Sequence, residues 1–161
     1  MLLDEILSGL PDARELVRVL VRLLGAMLLG AIAGVQREKA GKPAGLRTHM
    51  LVSMGSCLFV LVPIQIGMPV ADVSRIIQGV ATGIGFVGAG AILKNGGERE
   101  IHGLTTAAGI WTTAAVGVAV GIGGFAVAVI GMLLAYFVLA ALLRIENRIL
   151  PDRPPQERGS R

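Results

Sequence analysis

Residues 101–143 read IHGLTTAAGIWTTAAVGVAVGIGGFAVAVIGMLLAYFVLAALL, a run of 43 positions without an Asp, Glu, Lys or Arg. One helix needs about 20 apolar residues to cross a hydrocarbon core of ~30 Å, so the run is long enough for two. It is interrupted at Gly121-Ile122-Gly123-Gly124, a composition that suits a tight turn. The stretch therefore reads as a helical hairpin with spans at 104–120 and 125–143.

Three further charge-free windows lie upstream, at 23–36, 48–71 and 76–93. Hydrophobic residues make up 53% of the 161-residue chain and charged residues only 16%, against about 25% in an ordinary soluble domain. A chain of this length has no interior large enough to hide such windows from water. That excludes a water-soluble enzyme, a disordered tail and a disulfide scaffold, and leaves an all-α membrane protein with five transmembrane helices. The first three spans are expected at 16–35, 48–66 and 76–93, with Pro63 and Gln65 marking the far end of the second. Residues 1–10 place apolar side chains at 2, 3, 6, 7 and 10 and the acids Asp4 and Glu5 on another face; a helix this short reads as an interfacial arm. Residues 11–143 form the membrane domain, opened by Pro11 and Asp12 in a first helical turn, and 144–161 a basic tail. Four acids among the first fifteen residues argue against a cleavable leader.

Basic residues choose the orientation. With five spans, eleven of the fifteen Lys and Arg fall on one side, in the 36–47 loop, the 94–103 loop and the tail; Arg14, Arg18, Arg22 and Arg75 fall on the other. The N-terminus is expected outside and the C-terminus inside. The net charge of +4 thus reads as membrane orientation. Nucleic acid is not expected as a partner, because no aromatic residues interleave the basic ones. Arg14, Arg18 and Arg22 share one helical stripe and are expected to snorkel to one interface.

The segment Gly83-Ile84-Gly85-Phe86-Val87-Gly88 matches G-x-G-x-x-G in letters, yet no strand precedes it and no acid follows at the required distance. No nucleotide cofactor is expected. Small residues instead let transmembrane helices approach closely, and the expected packing positions are Ala26, Gly30 and Gly34 on the first span and Gly79, Gly83, Gly85, Gly88 and Gly90 on the third, with Trp111 on the fourth. Whether the first set joins helices of one chain or of two copies is open at this level. Four glycines between Gly83 and Gly90 also admit a second reading, a loosened helix lining an ion path. Against transport, the central parts of the spans hold no carboxylate or histidine; Gln78, Thr82, Thr105, Thr106, Thr112 and Thr113 are the polar groups there, and hydroxyls commonly bond to their own helix backbone. Glu38, Asp72, Glu98 and Glu100 are scattered over loops and make no dense metal cluster. No nucleophile, base and orienting group stand together. Cys57, the one cysteine, reads as an inert packed thiol. His49 and His102 are expected as solvated boundary residues on one face of the membrane, where their titration would suit pH sensing.

The densest polar stretch is Gln36-Arg37-Glu38-Lys39-Ala40-Gly41-Lys42-Pro43-Ala44-Gly45-Leu46-Arg47-Thr48-His49. It reads first as a basic loop held on anionic lipid. Because Arg37 and Glu38 close one helix while Arg47, Thr48 and His49 open the next, these side chains are expected to converge at the inner mouth with Thr105 and Thr106. One of those threonines is expected to cap the fourth span.

Four stretches together carry a resemblance: Gly34-Val35-Gln36-Arg37-Glu38, Ala44-Gly45-Leu46-Arg47-Thr48-His49-Met50-Leu51-Val52, the run from Gly83 to Ile92, and the run from Gly103 to Trp111. In this order the chain closely resembles the MgtC/SapB/YhiD family of bacterial inner-membrane proteins, from about Gly25 to about Gly124. The resemblance implies a multi-pass inner-membrane protein tied to adaptation to magnesium limitation, acid stress and survival in host cells. It also implies action by contact with other membrane proteins, the ATP synthase among them, and not transport of magnesium by the chain itself. Many relatives carry Glu where Gln36 stands, and several continue into a soluble ACT-type domain where a short tail is expected here.

The expected function is therefore a non-enzymatic regulator that binds partner membrane proteins and lipid and forms a homodimer, with a channel or transporter subunit as the alternative. The orientation is directly checkable. A reporter fused after Arg161 should read cytoplasmic, and one replacing residues 121–124 external; a periplasmic signal at the C-terminus would reverse the assignment.

Overall fold

The first helix starts at Asp12, whose carboxylate accepts a hydrogen bond from Glu15 N–H at 2.7 Å. That is the role of an N-cap, satisfying a backbone donor that the first turn leaves over. In the computed structural model, which describes residues 12–94 and 101–149, α1 spans Ala13–Lys39. It is followed by α2 (Leu46–Gln65), α3 (Val70–Gly90), α4 (Leu104–Ile122) and α5 (Phe125–Ile149). Helix α1 ends on Gly41 at φ +64, where Lys42 N–H reaches Arg37 O and Gly41 N–H reaches Glu38 O, a Schellman closure that uses up end carbonyls. The 121–124 break behaves alike: Gly123 lies at φ +102, and the next residue already feeds α5, which gives the tight hairpin expected from sequence.

Three differences from expectation concern the elements. The 94–103 connection is not a plain loop, since β1 (Leu93–Lys94) pairs antiparallel with β2 (Ile101–His102); the ladder gives backbone groups at the α3 to α4 crossing a partner in place of water. Helix α5 runs past residue 143 to Ile149. The third span is helical as expected, but it starts earlier and ends sooner, at Val70–Gly90, and is unbroken through its glycines, unlike the loosened alternative. The interfacial arm at 1–10 and the tail beyond Ile149 lie outside the described residues.

Among the described residues, α1, α2 and α4 are long and apolar enough to cross a membrane, and Phe125–Ala141 within α5 is a shorter apolar helix. Helix α3 falls outside that group; Asp72, Arg75 and Gln78 dilute its apolar residues. The surface agrees with a lipid environment. Leu20, Leu24 and Leu28 of α1 and Ile130, Leu134 and Phe137 of α5 all point outward, a continuous apolar surface that water would not tolerate. The all-helical membrane architecture stands, with the small hairpin added.

Helix α2 lies at the centre, packed most extensively against α1 and α4. Glycines set the spacing on both sides. A Cβ on Gly30 would stand 2.5 Å from the His49 carbonyl oxygen, and one on Gly34 2.7 Å from Leu46 Cα. From the other side, a Cβ on Gly117 would overlap the Ser53 carbonyl, and one on Gly121 would lie 2.7 Å from the Cys57 carbonyl oxygen. Ala26, at 0% exposure, continues the α1 face. The Ala26/Gly30/Gly34 stripe is therefore used inside this chain. Around Cys57 the core is apolar, with Ala33, Val116, Val120, Ala128 and Met132.

The remaining packing positions divide. A Cβ on Gly88 would meet Ala107 Cβ of α4 at 3.5 Å, whereas one on Gly79, Gly83, Gly85 or Gly90 would meet nothing within 4 Å. Trp111 points outward at 53% exposure. For these five the expectation of close packing fails within the chain: α3 touches the bundle with one side only, and Trp111 lies on the outward side of α4.

Gly117→Ala should lower the melting temperature in detergent by several degrees, since its methyl group must displace an α2 carbonyl and overpacking costs about 1–3 kcal/mol. Gly131→Ala, on α5 with nothing within 4 Å, should leave it unchanged or raise it slightly through helix propensity.

Candidate functional site

Arg37 follows Gly30, Ala33 and Gly34 on the buried face of α1, so the helix carries its guanidinium inward. Only 5% of the residue is exposed. Its Nη2 donates to Thr106 Oγ1 on α4, while Nε has no hydrogen-bond partner among the described residues.

One layer away sits His49, on the second turn of α2 and fully buried. Its Nδ1 lies 2.8 Å from Thr113 Oγ1, which in turn donates to the Gly109 carbonyl at 2.8 Å. A hydroxyl has one proton to give, so while Thr113 donates to Gly109 the ring proton lies on Nδ1. Neither Nε2 nor Ser53 Oγ, one turn further along α2, has a partner among the described residues. His49 is thus a core residue, which corrects the expectation of a solvated boundary. Gly34 lets α1 come close to the base of this side chain, since a Cβ there would stand 3.2 Å from His49 Cβ, and Gly109 on α4 lies against the ring, where a Cβ would stand 3.6 Å from Cε1.

Glu38 faces the other way. Its Oε2 accepts from Leu46 N–H at 2.7 Å, the first amide of α2, whose N-cap is Gly45 and has no side chain to offer. The carboxylate caps the next helix across the loop and places negative charge at its positive end. Glu38, Lys42, Arg47 and Thr48 line an open polar recess of ≈ 380 Å³. Arg47 and Thr105 are both exposed, and Gly103, not a threonine, occupies the N-cap of α4.

The seven residues expected to converge therefore form two groups and one outlier. Arg37 and Thr106 are joined, with His49 in the adjoining buried layer. Glu38, Arg47 and Thr48 gather in the recess outside it. Thr105 belongs to neither. Sequence reasoning passed over Ser53, Gly109 and Thr113 as members of the buried layer; the traces were the i, i+4 pair His49/Ser53 and the i, i+3, i+7 series Thr106/Gly109/Thr113. Among the described residues no three His, Cys, Asp or Glu stand together as metal ligands.

Both groups are built from the stretches that carry the family resemblance, and residues 23–148 match the model of the MgtC family. The chain belongs to the MgtC family. It is 46% identical over 137 residues to protein SrpB of Synechococcus elongatus, covering 78% of this chain and 75% of that one. It is 41% identical over 135 residues to YhiD of Escherichia coli K12, covering 80% of this chain and 61% of that one. With protein MgtC of Salmonella typhimurium it shares 41% identity over 106 residues, 66% of this chain and 44% of that one. The chain thus spans less than two thirds of YhiD and less than half of MgtC. No solved structure matches.

A buried guanidinium held by one hydroxyl is vulnerable. Thr106→Val keeps the shape and removes the acceptor, so it should destabilise the protein by about 1–3 kcal/mol, the cost of orphaning a buried polar group. Thr105→Val, at an exposed position, should stay within about 0.5 kcal/mol. Thermal unfolding of the two purified variants in one detergent checks the difference.

Proposed function

We propose that this chain is a non-enzymatic regulator in the bacterial inner membrane, with five spans, that binds other membrane proteins during adaptation to magnesium limitation. The observation that carries the reading is the closed interior. The polar layer of Arg37, Thr106, His49, Thr113 and Ser53 runs from one end of the bundle to about its middle, and beyond it, apart from Ser56, lie Cys57, Val60, Leu61, Val116 and Val120, all nearly or fully buried. A conduction path needs polar lining from end to end or a water-filled constriction, and the glycine contacts on both sides of α2 leave no width for one. Family membership supports the link to magnesium, since the name given to the relative YhiD of Escherichia coli K12 refers to a magnesium transporter.

The alternative, a transporter subunit, draws on the glycine-dense third span. Transport through broken helices depends on unwound backbone that lines a cavity, and α3 keeps its helical hydrogen bonds to Gly90. Of its open glycines, Gly79 and Gly83 border an apolar cleft against α2, and Gly85 and Gly90 lie exposed. That arrangement favours a surface for another helix over a path through this chain.

Two measurements separate the readings. Affinity purification from native membranes should recover a membrane protein whose yield changes between low and high magnesium. The purified chain in liposomes loaded with a magnesium-sensitive dye should give no flux above empty liposomes. Flux that scales with protein and disappears in Gly83→Leu would overturn the regulatory reading.

A further inference from the structure

Helix α3 shows the membrane a side unlike that of any other helix. At spacings of four, three, four, three and four residues, Ala71, Arg75, Gln78, Thr82, Gly85 and Ala89 all lie exposed. Not one is a large apolar residue. Helices α1 and α5 turn Leu, Ile, Val and Phe outward along their length, whereas on α3 only Phe86 and Val87 are large, apolar and exposed. Lipid rewards the first kind of surface and gives nothing to the second; small and hydrogen-bonding residues are what helix contacts in a bilayer are made from.

Gln78 is an observation separate from the small residues. It sits eight residues, ~12 Å, into the 21-residue helix, and its side-chain amide makes no hydrogen bond among the described residues. The neighbouring Thr82 hydroxyl is already spent on the Gln78 carbonyl at 2.9 Å. An amide in hydrocarbon without a partner is costly. At the start of the helix, Asp72 and Arg75 form a loose pair at 3.7 Å with side chains 47% and 81% exposed, so both charges remain free to exchange with an identical pair.

We propose that this stripe of α3 is the seam of a parallel homodimer within the membrane. The assignment deepens the regulatory reading and rests on its membrane placement. Two copies inserted in the same direction are related by a two-fold axis along the membrane normal, which brings each position of the stripe opposite itself. A glutamine amide has a donor and an acceptor, so two copies of Gln78 satisfy each other where a single-function side chain would not. The same symmetry sets Arg75 beside Arg75 of the second copy, and Asp72, one turn away on each chain and half exposed, supplies the opposite charge that each guanidinium reaches across the seam. The four-three spacing gives the shallow left-handed crossing common among membrane helices. Phe86, 85% exposed, then lies over the small side chains at Thr82, Gly85 and Ala89 of the second copy and loses its exposure.

Oxidative cross-linking of the full chain in native membranes tests the seam. Cys57 can stay, since it is fully buried. Gln78→Cys and Gly85→Cys should each give an adduct of twice the 16.7 kDa chain mass, and Leu24→Cys and Leu134→Cys, on the lipid faces of α1 and α5, should not. Adding Gln78→Leu to Gly85→Cys should lower the adduct yield about five- to tenfold, the loss of one interhelical hydrogen-bonded pair, while the variant still elutes as folded protein in detergent. No adduct from the stripe, or equal adducts from all four positions, overturns the homodimer. An adduct of another mass also overturns it in favour of a different protein, and leaves the regulatory reading standing; magnesium flux from an intact dimer would do the reverse.

Discussion

The separation between α2 and its two neighbours is the constraint on which the rest of the bundle depends. Carbonyls of His49, Ser53 and Cys57, one per turn on α2, meet glycine on α1 or α4: Gly30 at the first, Gly117 at the second, Gly121 at the third. Backbones this close gain dispersion along the whole contact and weak Cα–H to O=C bonds. Apolar burial contributes little to helix association in lipid, so that close contact is the main source of cohesion available. It also fixes register, since sliding α2 by one residue would drive a carbonyl into Ala33 or Val116 side chains, both already buried.

Close spacing explains both polar groups at the α1 to α2 end. A guanidinium is long, and on a helix spaced by glycines it has nowhere to go but across to α4, where Thr106 meets it. Imidazole is short and wide, and it lies in the gap between α1 and α4 that Gly34 and Gly109 border. At the opposite end the same logic holds with a different partner: Arg22 donates to the Gly121 carbonyl at 2.8 Å, placing positive charge at the negative end of α4. Arg14 and Arg18 stay exposed, so of the expected snorkelling stripe only these two are free of the bundle.

Charge-free windows made the helices legible, because a span announces itself by length and apolarity alone. The Gly121 to Gly124 break and Pro63 were legible too, since turn and terminus chemistry is local. What sequence could not resolve was direction. Gly30/Gly34 and Gly79/Gly83 have the same spacing and the same meaning on paper, yet the first pair touches α2 and the second touches nothing within 4 Å. Which face of a helix meets its neighbour is set by the whole bundle and is absent from any one segment. Thr105 and Thr106 show the same limit at 100° resolution: one step along the helix separates an exposed hydroxyl from the one that holds Arg37. Glu38 is expected to converge with Arg37 and Arg47 from its place at the end of a helix, but its carboxylate turns to the uncapped amide of Leu46 at 2.7 Å, a partner set by the loop geometry.

Glycine therefore has two roles here that a single substitution can tell apart. In α4 it is spent inside, and its lack of a side chain is already used by a carbonyl of α2. In α3 no neighbour within the chain uses it: Gly79 and Gly83 border an apolar cleft of ≈ 490 Å³ whose other wall is Leu51, Gly55 and Phe59 of α2. Helical glycine costs about 1 kcal/mol against alanine, and where no neighbour within the chain uses the space, that cost has no return in the isolated fold. Alanine at Gly79 or Gly83 would make α3 a better helix and the monomer no worse. That the outward positions carry glycine, threonine and glutamine where leucine would serve lipid better is the feature of α3 that folding of one chain does not account for, and contact with another helix does.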